Sequence, residues 1–146
     1  MKISKTNVKS ILFTGLLSTL VVLPSCSKYE EGPGVSLRTK KARVANTWEV
    51  EKAMRNNEDV TDDYDEYTLK TTKDGDAELA ANYSSGSFSF EYETQGTWDF
   101  ADDKETLMLD FENDAADVNY QILRLAEDEM WLREIGGEDE LHLRTK

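Results

Sequence analysis

The chain has 146 residues but only one cysteine, Cys26, and one histidine, His142. A single thiol cannot close a disulfide within the chain, and one thiol with one imidazole falls short of the ligand set a zinc site needs. Basic residues are also scarce, with 17 Lys and Arg against 30 Asp and Glu and a net charge of −13. That balance argues against a nucleic-acid partner and against lying on an anionic lipid surface by charge. Phosphate-cradling loops are missing too, because Gly136-Gly137 and Gly32-Pro33-Gly34 lack the strand-to-helix context such loops require. The main apolar stretch, residues 11–23, is shorter than the roughly 20 residues a membrane-spanning helix needs.

What that stretch does have is the layout of an export signal. Lys2, Lys5 and Lys9 form a positive region ahead of it, and it ends in Leu23-Pro24-Ser25-Cys26. Leu at minus 3, a small Ser at minus 1 and Cys at plus 1 resemble the bacterial lipoprotein processing box. The resemblance implies cleavage after residue 25 and lipidation of Cys26, with several acyl chains, where one alone would anchor only marginally. The first 25 residues hold three Lys and no acid, so the remaining 121 residues carry 14 basic and 30 acidic side chains, a charge of −16. Residues 26–36 read as a lipidated tether around Gly32-Pro33-Gly34, and 37–146 as one domain large enough for its own core. Lys28, Glu30 and Glu31, just behind the Cys, resemble the short charged signal that sends some lipoproteins of the Bacteroidota to the cell surface.

The folded part begins with the one cationic cluster, residues 37–46, where Leu37, Lys40, Lys41 and Val44 fall at helical spacing. One or two helical turns with a solvated charged face are expected there. After Asn46 the period becomes two. Trp48, Val50 and Met54 alternate with Thr47, Glu49, Glu51 and Ala53, which predicts a first strand with one wet face, and the Asn56-Asn57-Glu58-Asp59 run predicts a turn. Further strands are expected over 64–71, with Tyr67 and Leu69 on one side, and over 77–83 after an Asp74-Gly75 hairpin. Phe88, Phe90 and Tyr92 form the cleanest alternation, and a separate short strand with Trp98 and Phe100 inward is expected to start at Gln95-Gly96. Leu107, Leu109 and Phe111 follow. Tyr120 and Ile122, then Leu123 and Leu125, change face partway, which suggests a bulge. Strands at 130–135 and around Leu141 and Leu143 flank the Gly136-Gly137 turn. About nine short strands without intervening helices predict an antiparallel meander, most economically closed as a barrel because closure leaves no edges.

Asn46-Thr47-Trp48, Gly96-Thr97-Trp98, Ile122-Leu123-Arg124-Leu125, Met130-Trp131-Leu132-Arg133 and Glu140-Leu141-His142-Leu143-Arg144 together resemble the small lipocalin-like lipoproteins of the Bacteroidota. Lipocalins proper open their first strand with Gly-x-Trp, and Asn46 stands where that Gly would be. The resemblance implies an all-β, antiparallel up-and-down lipocalin-like barrel of about 8–9 strands, lipid-anchored in the outer membrane and displayed at the cell surface. It also implies a Trp48–Arg144 contact closing one end, which would leave the opposite end, past the turns at 56–63 and 84–87, as the mouth. Interior candidates for ligand contact are Tyr67, Tyr83, Phe88, Phe90, Tyr92, Trp98 and Tyr120.

No enzyme activity, metal or cofactor is expected. With Cys26 given to lipid and His142 the sole imidazole, neither a Ser-His-Asp triad nor a Cys-His pair can form. The acidic groups Asp62, Asp63, Asp65, Glu66 and Asp110, Glu112, Asp114, Asp117 lack the spacing of a calcium loop and read as solvated turns. His142, between Leu141 and Leu143, is expected to point outward with an exposed ring. Two functions remain: a binding module for a small apolar or glycan ligand, or a structural or interaction lipoprotein with a filled barrel, accessory to an outer-membrane complex.

Overall fold

The computed structural model describes residues 37–146. The signal (1–25), the tether (26–36), Cys26 and the Lys28, Glu30, Glu31 segment lie outside the described residues. A short helix α1 (Lys40–Val44) precedes nine strands: β1 (Thr47–Arg55), β2 (Glu58–Asp59), β3 (Tyr64–Thr71), β4 (Asp76–Ser85), β5 (Phe88–Ala101), β6 (Thr106–Phe111), β7 (Val118–Leu125), β8 (Glu129–Glu134) and β9 (Asp139–Thr145). All neighbours are antiparallel, and β9 returns to pair with β1 from Trp48↔Thr145 to Arg55↔Asp139. The result is a closed eight-stranded barrel, with β2 added as a short ninth strand on the end of β1.

Alternation fills the barrel as expected for one buried face, with one informative shift. The β1–β9 register slips between Val50 and Lys52, leaving Glu51 as the extra residue. Past it the inward positions are Ala53 and Arg55, so Ala53 is buried and Met54 only partly so, the reverse of the expected order. The bulge expected near Leu123 is present, as the β7–β8 register shifts between Ile122 and Arg124 and both Ile122 and Leu123 are buried.

The two strands expected at 88–92 and from 95 are one 14-residue strand. A Cβ at Gly96 would run into the Asp110 carbonyl and the Phe111 Cα. The glycine therefore marks a close crossing of β5 and β6 within a continuous strand rather than a break. On the N-terminal side of Gly96, β5 pairs only with β4, since its pairing with β6 ends at Gly96↔Phe111. The β4–β5 hairpin consequently overhangs the rim. Phe88 and Phe90 are 70% and 49% exposed, which corrects the expectation of a buried Phe90: no wall stands opposite that part of the strand.

One end of the barrel is sealed by α1. Thr39 caps the helix by accepting from the Ala42 N–H at 3.1 Å. The Val44 carbonyl at its end takes two donors, Trp48 Nε1 at 2.8 Å and Thr71 Oγ1 at 2.6 Å. Arg43, expected on a solvated face, is instead buried and donates to the Leu125 carbonyl at 2.5 Å. Val44, Trp48, Leu125, Met130 and Leu143 are fully enclosed around this floor. Trp98 lies nearby, its Nε1 donating to the Thr72 carbonyl at 2.9 Å and its ring edge-on to Phe100.

The expected seal by Arg144 is corrected. Arg144 sits opposite Glu49 across the β1–β9 seam, one step out of phase with Trp48, so its side chain is outside and pairs with Glu49 at 2.9 Å. A period of two gives neighbours opposite faces, and Trp48 has the inward one. His142 does point outward, but its ring is half-buried and stacks on Trp131 at 4.2 Å and 4°, with Glu140 at 2.8 Å from Nε2.

Candidate functional site: the open end of the barrel

At the end opposite α1 the core does not fill the barrel. A cavity of about 330 Å³ opens there among Tyr64, Tyr67, Leu79, Leu109, Phe111 and Tyr120, with Arg55, Glu134 and Asp139 at its rim. The register brings these residues together in pairs. Arg55 faces Asp139 across β1 and β9, Tyr64 faces Tyr83 across β3 and β4, and Tyr120 faces Glu134 across β7 and β8. Each lies at or near the open-end terminus of its strand, where the apolar alternation gives way to aromatic and charged residues.

The aromatic rings are set at angles to one another rather than stacked flat. Tyr64 meets Tyr67 at 6.1 Å and 68°, and Tyr83 at 5.1 Å and 70°, an edge-to-face geometry favoured by the ring quadrupoles. The rim has polar order as well. Arg55 donates from Nε to Asp139 Oδ1 at 2.7 Å and from Nη2 to Oδ2 at 2.9 Å. Asp139 also accepts from the Tyr64 hydroxyl at 3.2 Å, and Asp63 accepts from the Tyr83 hydroxyl at 3.3 Å. The Arg55 guanidinium lies 5.6 Å from the Tyr83 ring centroid, within cation–π range. Asp117 accepts from the Phe111 N–H at 2.7 Å, tying the turn after β6 to the rim.

This environment moves acidities in a consistent direction. Burial, then the Asp139 charge, raises the Tyr64 phenol; burial alone raises Tyr67; burial, then the neighbouring tyrosines, raises Tyr120. All three hydroxyls therefore stay neutral and able to donate through the physiological range. Among the described residues, the Tyr67 and Tyr120 hydroxyls have no hydrogen-bond partner, although Tyr120 is only 8% exposed and both rings line the cavity. Burial and the Asp139 charge push the Glu134 carboxyl up, against the pull of Arg55.

Of the expected interior candidates, Tyr67, Tyr83, Phe90, Tyr92 and Tyr120 line this cavity. Trp98 belongs to the floor core, and Phe88 stands at the hairpin tip outside the lining. Arg55, Tyr64, Glu134 and Asp139 were not anticipated. Glu134 and Asp139 carry a readable signal, since each lies two residues from an inward leucine, Leu132 and Leu141. Arg55 carries none without knowledge of the bulge at Glu51. Among the described residues no group of three or more His, Cys, Asp or Glu side chains is placed to hold a metal ion, and no helix is long and apolar enough to cross a membrane.

No family model and no curated protein matches this chain. A solved structure does: the NMR structure of a protein from Bacteroides uniformis ATCC 8492, with a TM-score of 0.52 and 18% identity over 72% of this chain and 90% of that one. The two share a fold. Because the likeness spans 72% of the chain at a low identity, it bears on the barrel and not on what the barrel holds.

Proposed function

We propose that the chain is a lipid-anchored, lipocalin-like lipoprotein of the outer membrane, of the kind found in the Bacteroidota, that binds one small apolar or glycan ligand in its barrel. The observation that carries this reading is the cavity of about 330 Å³ at the open end, floored by packed core and lined by tyrosines, two of whose hydroxyls have no hydrogen-bond partner among the described residues. Eight-stranded barrels have an interior wide enough for one small ligand, and sites of this size combine apolar walls with a few convergent polar groups. Apolar contact comes from Leu79, Leu109 and Phe111, and orientation from the phenols.

Native mass spectrometry of the purified protein tests the binding half. The expected result is a co-purifying small molecule that is lost in Ala81→Trp, which fills the cavity from β4; a parent that stays empty against lipid and sugar panels would overturn it. The anchoring half rests on Leu23-Pro24-Ser25-Cys26. Cys26→Ser is expected to leave the precursor uncleaved or move the protein out of the detergent phase, and unchanged partitioning would refute lipidation. Protease shaving of intact cells carrying Ala at Lys28, Glu30 and Glu31 tests surface display.

A second reading has its own observation. Phe88, Phe90 and Ile135 are exposed on the rim turns, a surface suited to an outer-membrane protein partner, with the barrel serving as a rigid interaction module. Polar replacements at Phe88 and Ile135, both outside the cavity lining, that abolish co-purification of a partner while leaving ligand occupancy intact would favour it.

A further inference from the structure

The cavity lining contains three carboxylates, Asp117, Glu134 and Asp139, against a single guanidinium, Arg55. Their hydrogen bonds are unequally shared. Asp139 holds Arg55 by two bonds and accepts from Tyr64, and Asp117 accepts from the Phe111 backbone. The Arg55 charge is already matched by carboxylates, with Asp139 on one edge of the guanidinium and Asp63 approaching Nη1 at 3.9 Å. Glu134 differs from its neighbours. Among the described residues no hydrogen bond or ion pair reaches its carboxylate, which lies against Gly137, where a Cβ would overlap it, and the residue is paired with Tyr120 across β7 and β8.

We propose that the barrel takes an organic cation, a small amine whose ammonium group sits between the Glu134 carboxylate and the ring faces of Tyr64, Tyr67 and Tyr120, with its body against Leu109 and Phe111. This deepens the ligand-binding reading and rests on it. Three features converge on the ammonium. The tyrosine rings meet edge to face, which walls a box with aromatic surface, and ring faces attract a desolvated cation. The Tyr120 hydroxyl, on a largely buried ring and without a hydrogen-bond partner among the described residues, is a neutral group that can accept from an N–H as well as donate. Finally, any ligand that closes the mouth strips water from Glu134. A neutral ligand would leave that carboxylate buried and unpaired, an anion would add repulsion, and a cation supplies the missing partner.

The test is titration calorimetry at pH 7 on the full chain with three probes of similar size: tyramine, 4-ethylphenol and 3-(4-hydroxyphenyl)propanoate. Tyramine is expected to bind at least tenfold more tightly than 4-ethylphenol, and the propanoate more weakly than both. In Glu134→Gln tyramine should fall to the level of 4-ethylphenol while 4-ethylphenol is unchanged. Ala81→Trp should lose all binding. Equal binding of the three probes, or tyramine binding unaffected by Glu134→Gln, overturns the cation inference and leaves the cavity as a ligand site. Failure of tyramine to bind overturns the inference as well, and the mass-spectrometric occupancy of the parent then shows whether the ligand-binding reading falls with it.

Discussion

Arg55 and Asp139 are cross-strand partners at the seam where the first strand of the barrel meets the last, joined by two hydrogen bonds of 2.7 and 2.9 Å. The same contact that fastens the seam at the open end therefore also positions Tyr64, which donates to Asp139. Planar, two-pronged pairs of this kind are stronger than point contacts, and both partners here are partly shielded from water. A double-mutant cycle with Arg55→Met and Asp139→Asn should give a coupling of about 1 to 2 kcal/mol in chemical denaturation. Coupling below about 0.3 kcal/mol would mean that the pair does not hold the seam.

At the sealed end the two tested residues should behave very differently. Trp48 is fully buried with its indole N–H satisfied, so Trp48→Ala should cost about 3 to 5 kcal/mol. Arg144 is a largely exposed side chain paired with Glu49 on the outer wall, and Arg144→Gln should change stability by no more than about 0.5 kcal/mol. A large loss in Arg144→Gln, or strong coupling to Trp48→Phe, would restore an arginine seal.

The tyrosines of the cavity give a pH signature. Tyr64, Tyr67 and Tyr120 have folded-state pKa values raised above the ordinary phenol value of 10.0. Their contribution to stability is complete below that value and is lost as pH climbs toward the raised folded values. Ultraviolet titration should show these three of the six tyrosines ionising only together with unfolding. Three separate phenolate transitions near pH 10 in a still-folded barrel would show the cavity to be wetter than described.

Glu134 gives the complementary result in acid. Its folded-state pKa is raised above the ordinary 4.5, so stability is lost as pH rises from 4.5 through the raised value. Glu134→Gln should melt slightly higher than the parent at pH 7, and the difference should close near pH 4. A lower melting temperature at pH 7 would reveal a partner for the carboxylate.

Gly96→Ala tests the crossing of β5 and β6. With no room for a Cβ against the Asp110 carbonyl, the change should cost about 1 to 3 kcal/mol or more by forcing the strands apart. A neutral effect would show that the strands separate freely.

Much of the barrel was legible because alternation is a local property. Leu69, Leu79, Leu107, Leu109 and Leu143 take the side their neighbours dictate, and the double switch at Ile122 and Leu123 announced its own bulge. The bulge at Glu51 left no such mark, because Glu51 and Lys52 are both polar, and with it the inward direction of Arg55 was hidden. Phe88 and Phe90 were misjudged for a different reason. Alternation assigns a face but cannot say whether anything stands opposite, and β6 stops at Phe111 before reaching them. The site itself was half legible: the tyrosines stood out by type, while the rim charges become visible only once the ends of eight strands are brought to one circle.

The sealed end is also where the described part of the chain begins, since α1 starts at Lys40, three residues after Leu37. A lipid on Cys26 would be separated from that floor by residues 27–36, a reach of at most about 35 Å when fully extended. An anchor on that side would attach at the closed pole, with the tyrosine-lined opening at the other end of the barrel. A ligand would be captured from solution or handed over by a partner facing the rim, and not drawn sideways out of the membrane that carries the anchor.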